Sequence, residues 1–207
     1  MSFAYAQGEV HERKGMRQMG LSEVRNEIDR IDSEIKELLM KRMDCSYHVA
    51  EAKQAEGSTE IYRADRENAI LENLGTDVAP EKKAEYLAVV RKVMETSRMY
   101  QYGLLYDWNE ALFDSIVGSI LAKGKSKKVR VYLTRYNQPN AMSSILSMIG
   151  DYGYNMEHMR LFKENKEENE VSFELIILGD VSETHMRKLL FQLSKESKDF
   201  SIEEVYA

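Results

Sequence analysis

The chain has 207 residues, of which 43% are apolar and 31% charged, and its net charge is −6. This length is sufficient for one or two domains with packed cores, and the acidic balance argues against a nucleic-acid-binding protein, which needs a clustered basic surface. Cys45 is the single cysteine and the four histidines lie far apart, so the sequence predicts neither an internal disulfide nor a metal site. Residues 1–20 lack a signal-peptide pattern, and no apolar run could span a bilayer; we predict a flexible leader on a cytoplasmic protein.

The first predicted element is a long amphipathic helix that begins near Leu21, with Ser22 as a candidate N-cap. Its apolar residues follow one another at alternating steps of three and four positions: Leu21, Val24, Ile28, Ile31, Ile35 and Leu38. This stripe is typical of a helix that packs on other helices, and no breaker occurs before Gly57. Such a helix spans roughly 50 Å. Pairing with a second copy would cover it, although an ordinary helical bundle also fits the stripe.

Two further helices and a small α+β region are predicted downstream. The helices run from about Ala64 to Leu74 and from Pro80 to at least Gln101. A helical period then continues through Leu105, Trp108, Leu112, Ile116 and Ile120, before a predicted GKSKK linker at 124–128. Beyond it the period changes to two, which predicts strands near 129–133, 155–162, 171–177 and 200–206 and helices near 142–149 and 183–194. This β-α-β-β-α-β order is that of a ferredoxin-like domain.

Polar residues occupy positions of the first helix where apolar residues are expected. Arg42 falls on the stripe, where burial of an unpaired guanidinium is costly. Lys53 lies about 20° round the helix from Arg42 and roughly 16 Å along it, so both cations could reach one anion. Arg25 lies about 25 Å before Arg42 and about 100° off its face, so it could only reach the equivalent pocket of a second chain. A snorkelling arginine and a solvated lysine remain the alternative explanations.

The third helix repeats this pattern with neutral side chains. Its apolar face leads by the same spacing to Ser97 and Gln101, which are either satisfied core groups or hydrogen-bonding ligands. The second helix begins with Arg66 and Glu67, which are either an ordinary charged first turn or part of the same site. Without a metal, an activated nucleophile or a phosphate loop, chemistry at such a site would depend on positioning and electrostatics.

The segments VRNEIDRIDSEIKELLMKRMDCSYHVAEAK, RADRE and METSRMYQ resemble the all-helical chorismate mutases of the AroQ class over residues 21–102. This resemblance implies an intertwined helical homodimer, which needs no cofactor and converts chorismate to prephenate by a Claisen rearrangement in aromatic amino-acid biosynthesis. By position, it implies that Arg42 and Ser97 bind carboxylates of chorismate together with Arg25 of the partner subunit. Arg66 would add positive potential nearby.

The resemblance also implies which residues act on the reacting atoms. Lys53 would bind a carboxylate and, together with Gln101, the ether oxygen whose bond breaks, and Glu67 would hold the ring hydroxyl. Charge develops on that oxygen in the transition state, so donors aimed at it accelerate the reaction selectively. The Gln101 amide needs no added proton to donate, which implies activity over a broad pH range. One departure is Arg63, at a position where the family often has an aspartate.

Residues 128–207 resemble an ACT domain, a regulatory fold that binds small molecules. The resemblance rests on the element order and on the loop before the first helix of this region, and it implies an effector site at Asn137, Gln138, Pro139, Asn140 and Ala141. Asn140 replaces a common glycine and tolerates a left-handed backbone. Phenylalanine or tyrosine is the expected effector, although the sequence does not select between them. Residues 103–127 would then be a connecting helix and linker.

Three functions from different classes therefore remain open. The favoured hypothesis is a dimeric chorismate mutase controlled through its C-terminal domain. The alternative is a weakly active or inactive homologue that senses an amino acid and regulates another shikimate-pathway enzyme. A helical region that served this alternative only as a dimeriser would gain from apolar residues at 42, 97 and 101, which argues against it. A purely structural helical dimer with a separate α+β domain is the third hypothesis.

Overall fold

A computed structural model describes residues 19–117 and 125–207. By its internal contacts the chain divides within the first helix, where one unit ends at Arg42 and the other begins at Met43. The helices of the first half are α1 (Leu21–Ala55), α2 (Ala64–Leu74), α3 (Pro80–Trp108) and α4 (Ala111–Val117). The predicted bounds of α2 are confirmed, and the predicted start of α3 at Pro80 is confirmed as well.

The N-terminal unit contains the first part of α1. The helix begins at Leu21, so the prediction of Ser22 as its N-cap is wrong. Instead, the carboxylate of Glu23 accepts a hydrogen bond from the backbone N–H of Gly20 at 2.9 Å, which satisfies one of the free donors at the helix start. The predicted apolar stripe is exposed along this unit, with Leu21 67% and Leu38 64% accessible.

In the second unit, the end of α1 contacts α3. The Ser46 hydroxyl donates a hydrogen bond to the Ser97 hydroxyl at 3.2 Å, and the Tyr47 ring meets the Trp108 ring edge-on with centroids 5.6 Å apart. Ala50, one turn after Ser46, is completely buried. Small residues at this crossing let the two helices approach closely.

The C-terminal region is a four-stranded antiparallel sheet with the strand order β2-β3-β1-β4. Its elements are β1 (Lys128–Tyr136), α5 (Ala141–Asp151), β2 (Asn155–Asn165), β3 (Glu170–Leu178), α6 (Thr184–Lys195) and β4 (Asp199–Tyr206). The predicted β-α-β-β-α-β order is therefore confirmed. Alternate residues of the central strand β1, including Val129 and Val131, are fully buried, as the period of two predicts.

One hydrophobic core joins the sheet to the end of α3 and to α4. Tyr102 and Tyr106 of α3 lie against Phe191 of α6, with ring centroids 6.1 and 6.2 Å apart, and Phe113 of α4 packs on Tyr106. Parts of the segment predicted as a connecting helix and linker thus belong to this core. Ser126, near its end, is buried and accepts a hydrogen bond from the Val181 N–H at 2.9 Å. The predicted leader up to residue 18, and Ile120 with its helical period, lie outside the described residues.

Candidate functional site

The predicted polar face of α3 is buried. Ser97 and Gln101, one helical turn apart, are 4% and 8% accessible. Lys53 lies two turns after Ser46, so it belongs to the side of α1 that contacts Ser97. Its side chain is 31% accessible, and its Nζ lies 3.8 Å from the Glu56 carboxylate. The second unit thus contains one cation and two neutral hydrogen-bonding groups along the contact between α1 and α3.

The other predicted cations are exposed or half-buried. Arg25 is exposed and Arg42 is half-buried, and both belong to the N-terminal unit. Arg66 is exposed on the first turn of α2. Whether any of these guanidinium groups meets Lys53 in one pocket stays a prediction.

Glu67 forms an ion pair with Arg98 of α3, a residue that the sequence analysis did not select. The guanidinium of Arg98 is 9% accessible, lies 4.8 Å from the ring centre of Tyr62, and donates through Nε to Glu196 Oε1 at 3.0 Å. Burial raises the pKa of Glu67 above that of an ordinary carboxyl, although Arg98 acts in the opposite direction. For Arg98, burial lowers the pKa, but the carboxylates of Glu196 and Glu67 outweigh it and the net pKa is raised.

Glu196 anchors this arrangement from the C-terminal region. It directly follows α6, its side chain is 1% accessible, and its Oε1 also accepts a hydrogen bond from Gln192 Nε2 at 2.8 Å. Arg135 of β1 lies with Nη2 3.6 Å from Glu196 Oε2 and donates through Nη1 to Ser144 at 2.9 Å. Burial lowers the pKa of Arg135, although Glu196 opposes that effect. We call Glu67, Arg98, Arg135 and Glu196 the buried charge cluster.

A cleft of about 600 Å³ opens beside this cluster. It lies between the start of α2, α3, the loop joining β1 to α5, and the end of α6. All four members of the buried charge cluster line it, and so do four of the five predicted effector residues: Gln138, Pro139, Asn140 and Ala141. Among the described residues, its lining does not include Lys53, Ser97 or Gln101. The structure thus brings Glu67 and the predicted effector loop together.

The predicted effector loop, residues 137–141, has the backbone that its sequence predicts. Asn140 immediately precedes α5 and has a φ of 71°, so it adopts the left-handed conformation expected where a glycine is common. The N–H of Asn137 donates to the Asn169 carbonyl at 2.7 Å, and Gln138 donates to the Tyr62 hydroxyl at 3.5 Å. Through Tyr62 the loop contacts the segment that leads into α2 and Glu67.

Arg63, the departure from the family pattern, stands at the N-cap position of α2. Its side chain makes no capping hydrogen bond, and its guanidinium instead binds the exposed Asp65 carboxylate at 2.9 Å. We expect Arg63→Asp to raise the free energy of unfolding by about 1 kcal/mol, because an aspartate there can accept from the free N–H groups of the first turn. Urea denaturation with Arg63→Ala as the control tests this, since alanine removes the ion pair without adding a cap. Equal stability of the two variants would contradict it.

Neither a membrane-spanning helix nor a group of metal ligands occurs in the part of the chain that the structure describes. Across residues 19–117 and 125–207, no helix is both long and apolar enough to cross a bilayer. In the same ranges, no three side chains of the histidine, cysteine, aspartate and glutamate types are grouped to hold a metal ion.

Comparison with known proteins gives a match within the helical part of the chain. Residues 24–102 match the family model described as chorismate mutase type II. This range contains the seven residues to which the resemblance assigns substrate-binding or catalytic roles: Arg25, Arg42, Lys53, Arg66, Glu67, Ser97 and Gln101. No curated protein matches the chain.

Proposed function

We propose that this protein is a chorismate mutase, an isomerase that converts chorismate to prephenate in the cytoplasm as a step of aromatic amino-acid biosynthesis. The observation that carries the proposal is the family match over residues 24–102, which contains every residue predicted to bind chorismate or act on it. The burial of Ser97 and Gln101 on one face of α3 supports it, because a helix that served packing alone would be more stable with apolar groups there.

The reaction needs no proton donor and no cofactor, since one carbon–oxygen bond breaks as one carbon–carbon bond forms within the same molecule. Its demands are to hold the flexible dianion in a compact reactive conformation and to stabilise the charge that develops on the ether oxygen. In our proposal Lys53 and Gln101 donate to that oxygen, Arg42 and Ser97 bind carboxylates, and Glu67 accepts a hydrogen bond from the ring hydroxyl. Removing one such donor in other enzymes costs about 2.7–4 kcal/mol of transition-state stabilisation.

The proposed enzyme is a homodimer in which Arg25 of the partner subunit completes each site. The exposed apolar stripe of α1 supports this, because a row of large apolar residues from Leu21 to Leu38 is costly to leave in water. Covering that row with a second copy would also bring a second Arg25 within reach of the first chain's substrate.

The C-terminal region is proposed to be a ferredoxin-like ACT domain that controls the enzyme. Its strand order places β3 between β1 and β2, as in a split β-α-β fold, and Asn140 gives the loop before α5 its left-handed turn. The shared cleft supports control, since an effector bound at residues 138–141 would lie beside Glu67. Such an effector must bind two states of the protein with different affinity.

One observation favours the second candidate, an amino-acid sensor with little catalysis. Glu67 is paired with Arg98, so its carboxylate already has a partner other than a substrate hydroxyl. A sensor would bind phenylalanine or tyrosine at the cleft and leave chorismate unchanged.

The experiment that separates the two candidates follows the ultraviolet absorbance of chorismate with purified protein, alone and with phenylalanine or tyrosine. The proposal predicts rapid loss of absorbance and a changed rate with one amino acid. If chorismate is lost only at the uncatalysed rate in the presence of a folded dimer, and calorimetry shows that this dimer binds either amino acid, the sensor hypothesis would be supported.

A further inference from the structure

The buried charge cluster joins a predicted catalytic carboxylate to the C-terminal region. Glu67 and Arg98 come from the helices of the family match, whereas Arg135 and Glu196 come from the sheet and from the end of α6. The four formal charges sum to zero. A cluster of two cations and two anions is stable at this depth only when each charge keeps its partners.

Arg98 is the member of the cluster that contacts both Glu67 of α2 and Glu196 of the C-terminal region. Its Nη1 donates a hydrogen bond to Glu67, and its Nε donates one to Glu196 at 3.0 Å. A guanidinium is planar and donates in a fixed fork, so fixing one of its N–H groups fixes the direction of the others. Glu196 is itself fixed by Gln192, whose Oε1 accepts from the Tyr152 hydroxyl at 3.0 Å.

We infer that Glu196 orients Arg98 and that Arg98 in turn positions the carboxylate of Glu67, so that the C-terminal region takes part in building the mutase site. This inference rests on the proposed function for the role of Glu67. Arg98 and Glu196 are positioning residues in this account, because they act on the substrate only through Glu67. Loss of either would leave Lys53, Ser97 and Gln101 in place while Glu67 loses its fixed orientation.

The charges around Glu67 make its pKa a test of the inference, because a change in packing that alters neither its burial nor its charged neighbours would leave that pKa unchanged. Burial raises the pKa of Glu67, and the negative charges of Glu196 and Glu95 raise it further, whereas the positive charge of Arg98 stabilises the ionised carboxylate and lowers it. The other charged groups that line the cleft with Glu67 are Glu60, Arg63, Asp65, Arg91, Arg135, Lys195 and Lys198. The pKa of Glu67 therefore depends on which partner Arg98 retains, and the ionised carboxylate is the stronger acceptor for a bond from a hydroxyl.

Two double variants that keep the cluster neutral separate these effects. In Arg135→Gln with Glu196→Gln, Arg98 pairs with Glu67 alone, and we expect the pKa of Glu67 to fall. In Arg98→Gln with Glu196→Gln, Glu67 loses its cation, and we expect its pKa to rise. The acid limb of kcat/KM should move with it in each case, because that limb reports the free enzyme.

The pKa is measured by carbon NMR titration of glutamate carboxyls, with Glu67→Gln to assign the signal, and the acid limb is measured in parallel. The matched control is Lys188→Gln with Asp107→Asn, which removes an exposed ion pair of 2.6 Å between α6 and α3 outside the cluster and should shift neither quantity. Arg98→Lys keeps the positive charge but lacks the planar guanidinium with its fixed donors. We therefore expect the pKa of Glu67 to stay near its wild-type value while kcat/KM falls about tenfold.

Opposite shifts in the two double variants support the inference, and no shift in either, or shifts in the same direction, would overturn it. If one double variant does not fold, the sign of the other shift together with Arg98→Lys decides. Wild-type protein that does not convert chorismate would defeat the proposed function, yet the NMR titration would still test the positioning of Glu67.

Discussion

Replacing Arg42 with alanine should lower kcat/KM for chorismate by about 10²–10⁴-fold, which corresponds to a loss of about 3–5 kcal/mol. The reason is that binding removes the substrate carboxylate from water. Without the guanidinium of Arg42, nothing compensates for the free energy that this desolvation costs. Arg42 lies on the apolar stripe of α1, is half-buried and falls within the family match. Steady-state kinetics on the purified variant, with its oligomeric state checked by light scattering, gives the measurement.

Lys41→Ala is the matched control for this substitution. Lys41 is the adjacent residue on the same helix, carries the same charge and is exposed. Its replacement should change kcat/KM by less than about threefold, since an exposed charge is screened by solvent. Near-normal turnover by Arg42→Ala, or an equal loss in both variants, would contradict the assignment of Arg42 to the substrate.

Mixing two inactive variants, Arg25→Ala and Arg42→Ala, should restore activity to about a quarter of the wild-type level. If each site takes Arg42 from one chain and Arg25 from the other, half of the randomly mixed dimers are heterodimers, and one of their two sites is intact. The recovery should exceed the activity of either variant by about 25-fold or more, given the loss expected for each arginine.

Subunit exchange must be shown separately, by mass spectrometry of the mixed dimer under native conditions. A mixture of Arg25→Ala with the double variant Arg25→Ala, Arg42→Ala is the control, since no combination of those chains contains an intact site. Absence of recovery in verified heterodimers would show that both arginines serve the pocket of one chain.

The elements of the fold were predictable where local signals agree with tertiary packing. Helix α2 ends where Gly75 follows its last periodic residue, and α3 begins at a proline suited to a first turn. The sheet was visible in the alternation of Val129, Val131 and Leu133, which become completely buried. In each case the period of the apolar residues carries the prediction.

Prediction was less complete where tertiary contacts override local preference. Gly103 lowers the helix propensity of α3 by about 1 kcal/mol relative to alanine, yet α3 continues through it because Leu105 and Tyr106 are buried against the C-terminal core. Ser22 is of a residue type that commonly caps helices, but the helix begins one residue earlier. Its first turn is instead capped by Glu23, which accepts a hydrogen bond from the backbone N–H of Gly20. Neither the continuation of α3 through Gly103 nor the start of α1 can be predicted from a few neighbouring residues.

The buried charge cluster could not be predicted from the sequence at all. Arg98 and Glu196 are ordinary charged residues of two helical segments, and 98 positions separate them. Periodicity marks positions where a polar residue replaces an apolar one, as at Ser97 and Gln101, but it gives no information about which distant charge will meet which. Only the packing of α6 beside α3 makes Arg98 a partner of both Glu67 and Glu196.

This packing also changes how the two predicted regions relate to each other. The sequence predicted a mutase segment and a regulatory segment joined by a linker, whereas the structure gives Glu67 and residues 138–141 one shared cleft. A molecule bound in that cleft would contact the loop before α5 and the ion pair of Glu67 at once. Control of the proposed activity then needs only a change in the buried charge cluster, without a long-range rearrangement.

The most direct test of the central claim is to follow chorismate by proton NMR with protein purified from a host that lacks chorismate mutase. The account predicts that wild-type protein converts chorismate to prephenate as the sole product, and that Arg42→Ala at equal concentration is slower by about 10²-fold or more. Chorismate that persists at the uncatalysed rate with folded, dimeric wild-type protein, in the absence of phenylalanine and tyrosine, would contradict the account.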